Sequence, residues 1–153
     1  MKKIAMILSC ALIIVLPALA APRQSQYLNP ALSVSLITEK SIYRLGEPIK
    51  MILVATNASD RTFKAVFSSA KRYDFAAYDS DGNLVWRWSA GQMFAQAITP
   101  LELEPGEEVI FNADWQQQDS EGAPVLDGDY TLKGAILYQA GVNSATRKIA
   151  VVE

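Results

Sequence analysis

The sequence predicts an all-β fold, namely an immunoglobulin-like antiparallel β-sandwich of about seven or eight strands in a single domain. After residue 31, short runs in which apolar and polar side chains alternate follow one another along the chain. Glycine, proline, asparagine and aspartate separate these runs, as expected of tight turns. No helical pattern is long enough for a crossover between parallel strands, which needs a dozen or more residues. A small β-barrel is the alternative architecture that the same pattern allows.

The predicted strands begin where Leu32, Val34 and Leu36 alternate with serines. A turn follows at residues 45–48, and the long apolar run 49–56 is typical of a central strand. Further strands are predicted at residues 63–67, 73–78, 84–88, 108–115, 130–139 and 147–152. The pair Asp81-Gly82 separates two of these runs and predicts a β-hairpin. Residues 90–97 are the only stretch with a helix-like pattern.

Residues 1–20 have the three parts of a secretory signal peptide. Lys2 and Lys3 precede an apolar run of 13 residues, which Pro17 ends and the small-x-small sequence 18–20 follows. We therefore expect cleavage before Ala21 and export to the periplasm or the cell exterior. An uncleaved membrane anchor is the alternative, but 13 residues at about 1.5 Å each are too short for ~30 Å of hydrocarbon. No stable membrane span is expected after cleavage.

The single cysteine of the chain, Cys10, lies inside this apolar run. Only six residues separate it from the basic start, whereas the apolar region before a cleavage site usually has about 7–15. Lipidation at Cys10 is therefore not expected, and the cleaved protein would fold without disulfides. Residues 21–31 show no periodicity and predict a flexible lead-in. Residues 32–153 are then predicted to form the sandwich domain.

The composition excludes several classes of function. The chain has 14 basic and 16 acidic residues, a net charge of −2, and no histidine. Without histidine there is no Ser-His-Asp triad, no Cys-His dyad and no histidine-ligated zinc or haem. Without a basic excess, nucleic acid is not an expected partner. We predict a protein that is not an enzyme and holds no cofactor.

One short motif suggests a metal site. Asp79, Asp81 and Gly82 look like the opening of a calcium-binding loop, in which the twelfth position should be a glutamate. Counting from Asp79, the twelfth residue is Ala90. The hairpin is therefore the favoured interpretation of this segment, and no metal ligand is predicted.

Two tryptophans occur at strand spacing in the run 84–88. Trp86 and Trp88 share one face of such a strand, while Arg87 lies on the other. We predict that both tryptophans lie in the core, as is typical of a sandwich interior. An aromatic platform for a sugar or a partner protein is the alternative. The complete set of predicted core residues is Tyr73, Phe75, Trp86, Trp88, Trp115 and Tyr130.

Several short motifs follow one another in an order that is similar to one protein family. The motifs are residues 40–48, Tyr73-Asp74-Phe75, Asp81-Gly82, Val85-Trp86-Arg87-Trp88-Ser89, Phe94-Ala95-Gln96-Ala97, Glu104-Pro105-Gly106-Glu107, Trp115 and residues 128–134. In this order they resemble the BsuPI family, the bacterial intracellular proteinase inhibitors, over residues 32–152. The resemblance implies an immunoglobulin-like sandwich that binds and inhibits a serine protease, such as a subtilisin-like enzyme.

Loop length and expected exposure indicate where a partner would bind. The connections 89–100 and 116–124 are the two candidate loops, because binding residues concentrate on exposed loops of a rigid scaffold. Arg87, Met93 and Phe94 are the predicted partner-binding residues, with the last two as apolar anchors. The alternative function is a non-inhibitory module of the cell envelope that binds an envelope protein or a glycan.

Overall fold

The computed structural model describes residues 29–153. The predicted signal peptide 1–20, Cys10 and most of the lead-in 21–31 lie outside these residues. The described part of the chain has ten strands and no helix. Within it, accordingly, no helix is long and apolar enough to cross a membrane. The strands are β1 Leu32–Thr38, β2 Ile42–Arg44, β3 Ile49–Asn57, β4 Phe63–Phe67, β5 Tyr73–Tyr78, β6 Leu84–Arg87, β7 Thr99–Leu103, β8 Glu108–Trp115, β9 Gly128–Tyr138 and β10 Gly141–Val152.

The strands form a three-stranded sheet, a five-stranded sheet and a two-stranded ribbon. The three-stranded sheet has the order β1-β3-β8, and the five-stranded sheet has the order β2-β10-β9-β5-β6. The ribbon pairs β4 with β7. Buried residues from all three units form one hydrophobic core. The predicted immunoglobulin-like all-β fold class is therefore confirmed.

Several local predictions are also confirmed by the strand pairing. The run 49–56 is β3, which lies in the centre of its sheet between β1 and β8. The Asp81-Gly82 hairpin connects β5 and β6, which pair antiparallel. Gly82 has a φ of +83°, a left-handed conformation that glycine adopts without a steric penalty. The Asp79 carboxylate accepts hydrogen bonds from the backbone N–H groups of Asp81 and Asn83 and closes the turn.

Other predictions are wrong in detail. The sequence pattern missed β2, because a three-residue strand in which only Tyr43 is buried is too short to show a period. Strand β2 pairs parallel with β10, so the five-stranded sheet is not entirely antiparallel. Parallel pairing is possible here because most of the domain separates the two strands in sequence. Strand β10 also begins at Gly141, earlier than expected, since its polar first half resembles a turn.

The core is formed where the two sheets face each other. Every second residue of β3 points inward, and Ile49, Met51, Leu53 and Ala55 are fully buried. The five-stranded sheet contributes, among others, Phe75, Leu132 and Ile136, which are also fully buried. The ribbon closes one side, where the Phe63 ring meets the Tyr138 ring edge-on at 6.1 Å.

Gly134 lies where β9 faces two leucines of the opposite sheet at close range. A methyl group in place of its hydrogen would lie 2.6 Å from Cδ1 of Leu53 and 3.2 Å from Cδ1 of Leu36. Both leucines belong to the opposite sheet, and Leu53 is fully buried. The absence of a side chain at this position therefore lets β9 pack directly against β3.

Replacing this glycine should separate the sheets locally. We expect Gly134→Val to lower the free energy of unfolding by about 1–3 kcal/mol, because added methyl groups force neighbours out of their rotamers. Urea unfolding measures the effect. The double variant Gly134→Val/Leu53→Ala should lose less unfolding free energy than the sum of the losses of the two single variants, because the smaller Leu53→Ala side chain makes room for the added valine. Simple additivity would contradict the contact.

A buried hydrogen-bond network joins the start of β1 to the hairpin between β9 and β10. The Tyr138 hydroxyl donates to Oδ1 of Asn143 at 2.7 Å. The Asn143 side-chain amide donates to the carbonyl oxygens of Asn29 and Leu32, at 2.9 and 2.7 Å. Burial raises the pKa of Tyr138 above its ordinary range.

This network predicts a loss of stability in alkaline solution. The folded protein keeps the Tyr138 proton at a pH where the unfolded chain has lost it. Its contribution is therefore complete below about pH 10 and disappears as the pH rises through the folded pKa. Tyr138→Phe should be about 1 kcal/mol less stable at neutral pH, and should decline less steeply with alkali. Burial also raises the pKa of Tyr130, so the stability of the variant should still fall to some extent as the pH rises. Urea unfolding from about pH 8 to pH 11 measures both slopes, and identical slopes would refute the assignment.

Candidate functional site

The connection from β6 to β7, residues 88–98, carries the most exposed large apolar side chains of this region. We call it the 88–98 loop. Met93 is 100% exposed and Ile98 is 74% exposed. Residues 92–98 have no regular secondary structure. The connection thus presents apolar side chains to solvent from an irregular segment, which is the usual arrangement of a binding loop.

The helix-like prediction for residues 90–97 is wrong. Two successive turns form instead, in which Ala90 N–H donates to the Arg87 carbonyl and Gln92 N–H donates to the Ser89 carbonyl. Gly91 then adopts a φ of +71°, which ends helical geometry. A helix of eight residues is also too short to be stable unless a whole apolar face of it packs against the domain.

The first end of the 88–98 loop is fixed to β5. Trp88 N–H donates to the Phe75 carbonyl at 2.9 Å. The Ser89 hydroxyl donates to Oδ2 of Asp74 at 2.7 Å, and Ser89 N–H donates to Oδ1 at 3.3 Å. The side-chain amide of Gln92 returns to donate to the Trp88 carbonyl. The polypeptide is therefore held for several residues beyond the end of β6.

The second half of the loop has its own attachment. Ala70 N–H, in the connection between β4 and β5, donates to the Ala95 carbonyl at 2.9 Å. The Phe94 ring packs on the Trp88 indole with ring centroids 5.7 Å apart. Met93 consequently lies between Gln92 and Phe94, two residues whose side chains both contact Trp88. The loop is preorganised by the fold itself.

A charged cluster supports the first attachment. We call Lys71, Asp74, Arg87 and Ser89 the Asp74 cluster. The Asp74 side chain is only 10% exposed, and its Oδ2 lies 2.7 Å from Lys71 Nζ and 3.7 Å from an Arg87 guanidinium nitrogen. Phe75 N–H donates to Oδ1 at 3.0 Å. A carboxylate this buried requires such partners, because an unpaired charge is costly to remove from water.

The cluster has the components of a serine-lysine pair but not its chemistry. Lys71 Nζ donates to the Ser89 hydroxyl oxygen at 2.7 Å. In this contact Lys71 is the hydrogen-bond donor, so it does not accept the serine proton. Ser89 already donates that proton to Asp74. This arrangement positions the loop and does not activate a nucleophile.

Four aromatic rings in contact connect the loop to the two sheets. We call Phe94, Trp88, Tyr73 and Phe111 the aromatic row. The Tyr73 ring stacks on Trp88 at 4.5 Å and on Phe111 at 4.4 Å. All four side chains are half-buried. Since Phe111 belongs to β8 and Tyr73 to β5, the row connects the two sheets and attaches the loop to both of them.

The structure places the predicted core residues at two depths. Phe75 and Trp115 are fully buried, and Tyr130 is nearly so. Tyr73, Trp86 and Trp88 are half-buried and pack against the margin of the core. Trp86 in β6 and Trp88 just beyond this strand contact different neighbours: Trp86 stacks on Trp115 at 6.3 Å, whereas Trp88 belongs to the aromatic row.

The predicted partner-binding residues are divided between two places. Met93 and Phe94 are neighbours in the 88–98 loop, one in solvent and the other on Trp88. Arg87 is at the end of β6 and turns towards Asp74. The sequence pattern does not identify Asp74, Lys71 or Ser89 as positioning residues. The signal in the sequence that could have indicated a role for Asp74 is its position between Tyr73 and Phe75, in a strand that is otherwise apolar.

The second candidate loop, residues 116–124, is tied to the scaffold. Gln117 is 2% exposed, and its side chain bonds backbone groups of Arg44, Gly46 and Glu47. Ser120 N–H donates to the Val85 carbonyl on β6 at 3.0 Å. This loop therefore covers the edge of β6, and its polar residues Gln117 and Ser120 hold it to the neighbouring segments by hydrogen bonds.

Comparison with known proteins agrees with this architecture. A family model described as BsuPI, intracellular proteinase inhibitor, matches residues 36–141. The chain belongs to the BsuPI family. The family is one of proteinase inhibitors and not of enzymes. The match includes the whole Asp74 cluster, the aromatic row and the 88–98 loop. A search of curated protein sequences finds no match.

Solved structures show the likeness of fold. The sporulation control protein Spo0M from Bacillus subtilis is 18% identical with a TM-score of 0.50, and the match covers 80% of this chain and 50% of Spo0M. A CARDB domain from Pyrococcus furiosus is 16% identical with a TM-score of 0.43, over 79% of this chain and 87% of that domain. A β-glucosidase from Erythrobacter marinus is 17% identical with a TM-score of 0.47 over 79% of this chain. This BsuPI-family chain spans only 15% of that enzyme.

The Asp74 cluster is open to a direct test. Asp74→Asn retains the shape of the side chain but removes the charge that Lys71 and Ser89 contact. We expect a loss of about 2–3 kcal/mol in unfolding free energy, typical of hydrogen bonds to a charged group. Hydrogen exchange at the Ser89 and Gln92 amides should accelerate as well. Asp60→Asn, at a side chain that is 93% exposed, is the matched control and should change neither quantity. If both variants behave alike, Asp74 does not anchor the loop.

Proposed function

We propose that this protein is an exported inhibitor of a serine protease and that the 88–98 loop enters the substrate cleft of the enzyme. Family membership supports the inhibitory activity. The observation that carries the assignment to this loop is the Met93 side chain, which is completely exposed between two fixed points of the backbone. A large apolar side chain that a preorganised loop holds in solvent is well placed to act as an interface anchor.

The energetics of such a complex agree with the geometry. Burial of an exposed methionine in an apolar specificity pocket is worth about 1.5–3 kcal/mol. Ordering a flexible loop would offset that gain, at about 0.5–1.5 kcal/mol for each immobilised side chain. Here the hydrogen bonds of Ser89 and Ala95 have already restricted the backbone before the enzyme binds. Small exported inhibitors commonly use disulfides for this purpose, and the Asp74 cluster takes that role in this chain.

The proposed location follows from the N-terminal sequence. Residues 1–20 have the charge and apolar pattern of a signal peptide, whereas the family description names an intracellular inhibitor. Export would bring the inhibitor to secreted or envelope proteases, of which subtilisin-like enzymes with apolar pockets suit Met93. Fractionation of cells that express the full chain tests this, since an uncleaved cytoplasmic protein would contradict export.

A non-inhibitory envelope module is the alternative function, and the aromatic row favours it. Half-buried aromatic rings at a sheet edge can stack on sugars or on a partner protein. However, Tyr73 already contacts a ring on each side, Trp88 and Phe111. Quenching of tryptophan fluorescence by oligosaccharides, together with full protease activity at micromolar excess of the protein, would support this alternative over inhibition.

The inhibitory proposal predicts the effect of one substitution. Met93→Asp should raise the inhibition constant against a subtilisin-like protease by at least about a hundredfold, because a charge cannot enter an apolar pocket without large desolvation cost. Titration of active-site-counted enzyme with residues 21–153 gives the constant. Leu126→Asp is the matched control, since Leu126 is 78% exposed in a different loop. Unchanged inhibition by the Met93 variant would remove the 88–98 loop from the interface.

A further inference from the structure

A pocket of about 300 Å³ lies on the outer face of the five-stranded sheet, over β6, β5 and β9. We call it the basic pocket. Its lining is mixed: Ala76, Ala135, Leu137 and Val142 form an apolar floor, while Tyr78 and charged side chains supply polar atoms. The two alanines are almost completely buried although they face away from the core, because longer neighbouring side chains surround them. The depression therefore arises from small residues set among long ones.

Two cations flank the floor in a fixed register. Arg87 on β6 pairs with Ala76 on β5, and Ala76 pairs with Lys133 on β9. The three residues thus form one row across the sheet, with their side chains on the same face. Adjacent strands are about 4.8 Å apart, so the Cα atoms of Arg87 and Lys133 are about 10 Å apart. Side chains of this length can both reach an anion that lies above Ala76.

The charges of the pocket do not balance. Lys71, Arg87 and Lys133 line it together with a single carboxylate, Asp74. That carboxylate already accepts hydrogen bonds from Ser89 and from the Phe75 N–H, besides its short contact with Lys71. Arg87 reaches Asp74 only at 3.7 Å, and Lys133 makes no salt bridge within residues 29–153. An excess of positive charge thus surrounds an apolar floor, in a chain whose net charge is −2.

We infer that the basic pocket binds a carboxylate attached to a small aliphatic group. The planar guanidinium of Arg87 matches the two oxygens of a carboxylate, and Lys133 supplies a second positive charge from the opposite side. The aliphatic part of the ligand would cover Leu137 and Val142. A dianion such as phosphate suits the pocket less well, because the Asp74 carboxylate lies beside the site and repels a second negative charge more strongly. This inference is independent of protease inhibition, since it does not use the tip of the 88–98 loop.

The test uses ligands that separate charge from shape. Residues 21–153 labelled with ¹⁵N are titrated with hexanoate and with N-acetyl-leucine, which present a free fatty acid and the end of a peptide respectively. Hexanol and N-acetyl-leucinamide have the same apolar groups without the carboxylate. We expect saturable shifts of the Ala76, Arg87 and Lys133 amide signals with at least one carboxylate and with neither neutral ligand. The carboxylate that binds more tightly identifies the source of the ligand.

Substitutions in the row provide the second part of the test. Arg87→Gln and Lys133→Gln should each weaken the binding by about ten- to a hundredfold, as expected when a charge-assisted hydrogen bond is lost. Lys50→Gln, at an exposed position on β3 in the other sheet, is the matched control and should bind normally. Ala76→Glu should abolish binding, because its own carboxylate would occupy the space between the two cations. Thermal unfolding verifies that each variant is folded.

Three results would overturn the inference. Equal shifts with the neutral ligands would show that only the apolar floor binds. Tighter binding of inorganic phosphate than of either carboxylate would assign the pocket to a different anion. Normal binding by folded Arg87→Gln and Lys133→Gln variants would place the ligand elsewhere. None of these results depends on the protease, so the proposed inhibitory function stands or falls separately.

Discussion

The buried carboxylate of Asp74 is the constraint on which the candidate functional site of this structure depends. Removing it from water requires several strong partners, and the sequence supplies them from three segments. Lys71 comes from the connection before β5, Phe75 from β5 itself, and Ser89 from the chain beyond β6. Since satisfying the charge brings these segments together, the beginning of the 88–98 loop has one position relative to the sheet.

The aromatic row adds a second constraint of a different kind. Its rings connect β5 of the five-stranded sheet to β8 of the three-stranded sheet, so the loop contacts both halves of the sandwich. The charged contacts of Asp74 fix the first residues of the 88–98 loop, and the ring contacts hold its Phe94 side chain against Trp88. Directional hydrogen bonds and non-directional packing therefore act together. This combination explains how a chain whose described residues include no cysteine can hold a loop without a covalent link.

Much of the fold could be predicted from the sequence, because period-two alternation and turn residues are local signals. The hairpin at Asp81-Gly82 and the central position of β3 followed directly from such patterns. The parallel pairing of β2 with β10 could not, since it depends on where distant segments meet. The helix-like prediction for residues 90–97 is wrong for the same reason. Its alanines and glutamines suggest a helix, but contacts with Trp88 and Ala70 decide its conformation.

The functional residues show the same division between local and distant information. Met93 and Phe94 could be proposed from their position in a long connection, because exposure of an apolar residue in a loop is a local property. The Asp74 cluster is formed by residues up to 18 positions apart in the chain. Two of the motifs that carry the family resemblance, Tyr73-Asp74-Phe75 and Trp86-Arg87-Trp88-Ser89, contact each other in space. A sequence pattern gives their order but not that contact.

The two attachments of the 88–98 loop have a consequence for a molecule that has been cut. If a protease hydrolysed the bond between Met93 and Phe94, the new carboxyl end would still be held through Ser89, and the new amino end through Ala95. The strands on either side would also stay paired, β6 with β5 and β7 with β4. The two severed ends would therefore stay attached to one folded scaffold, and the cut would not by itself divide the molecule into separate pieces.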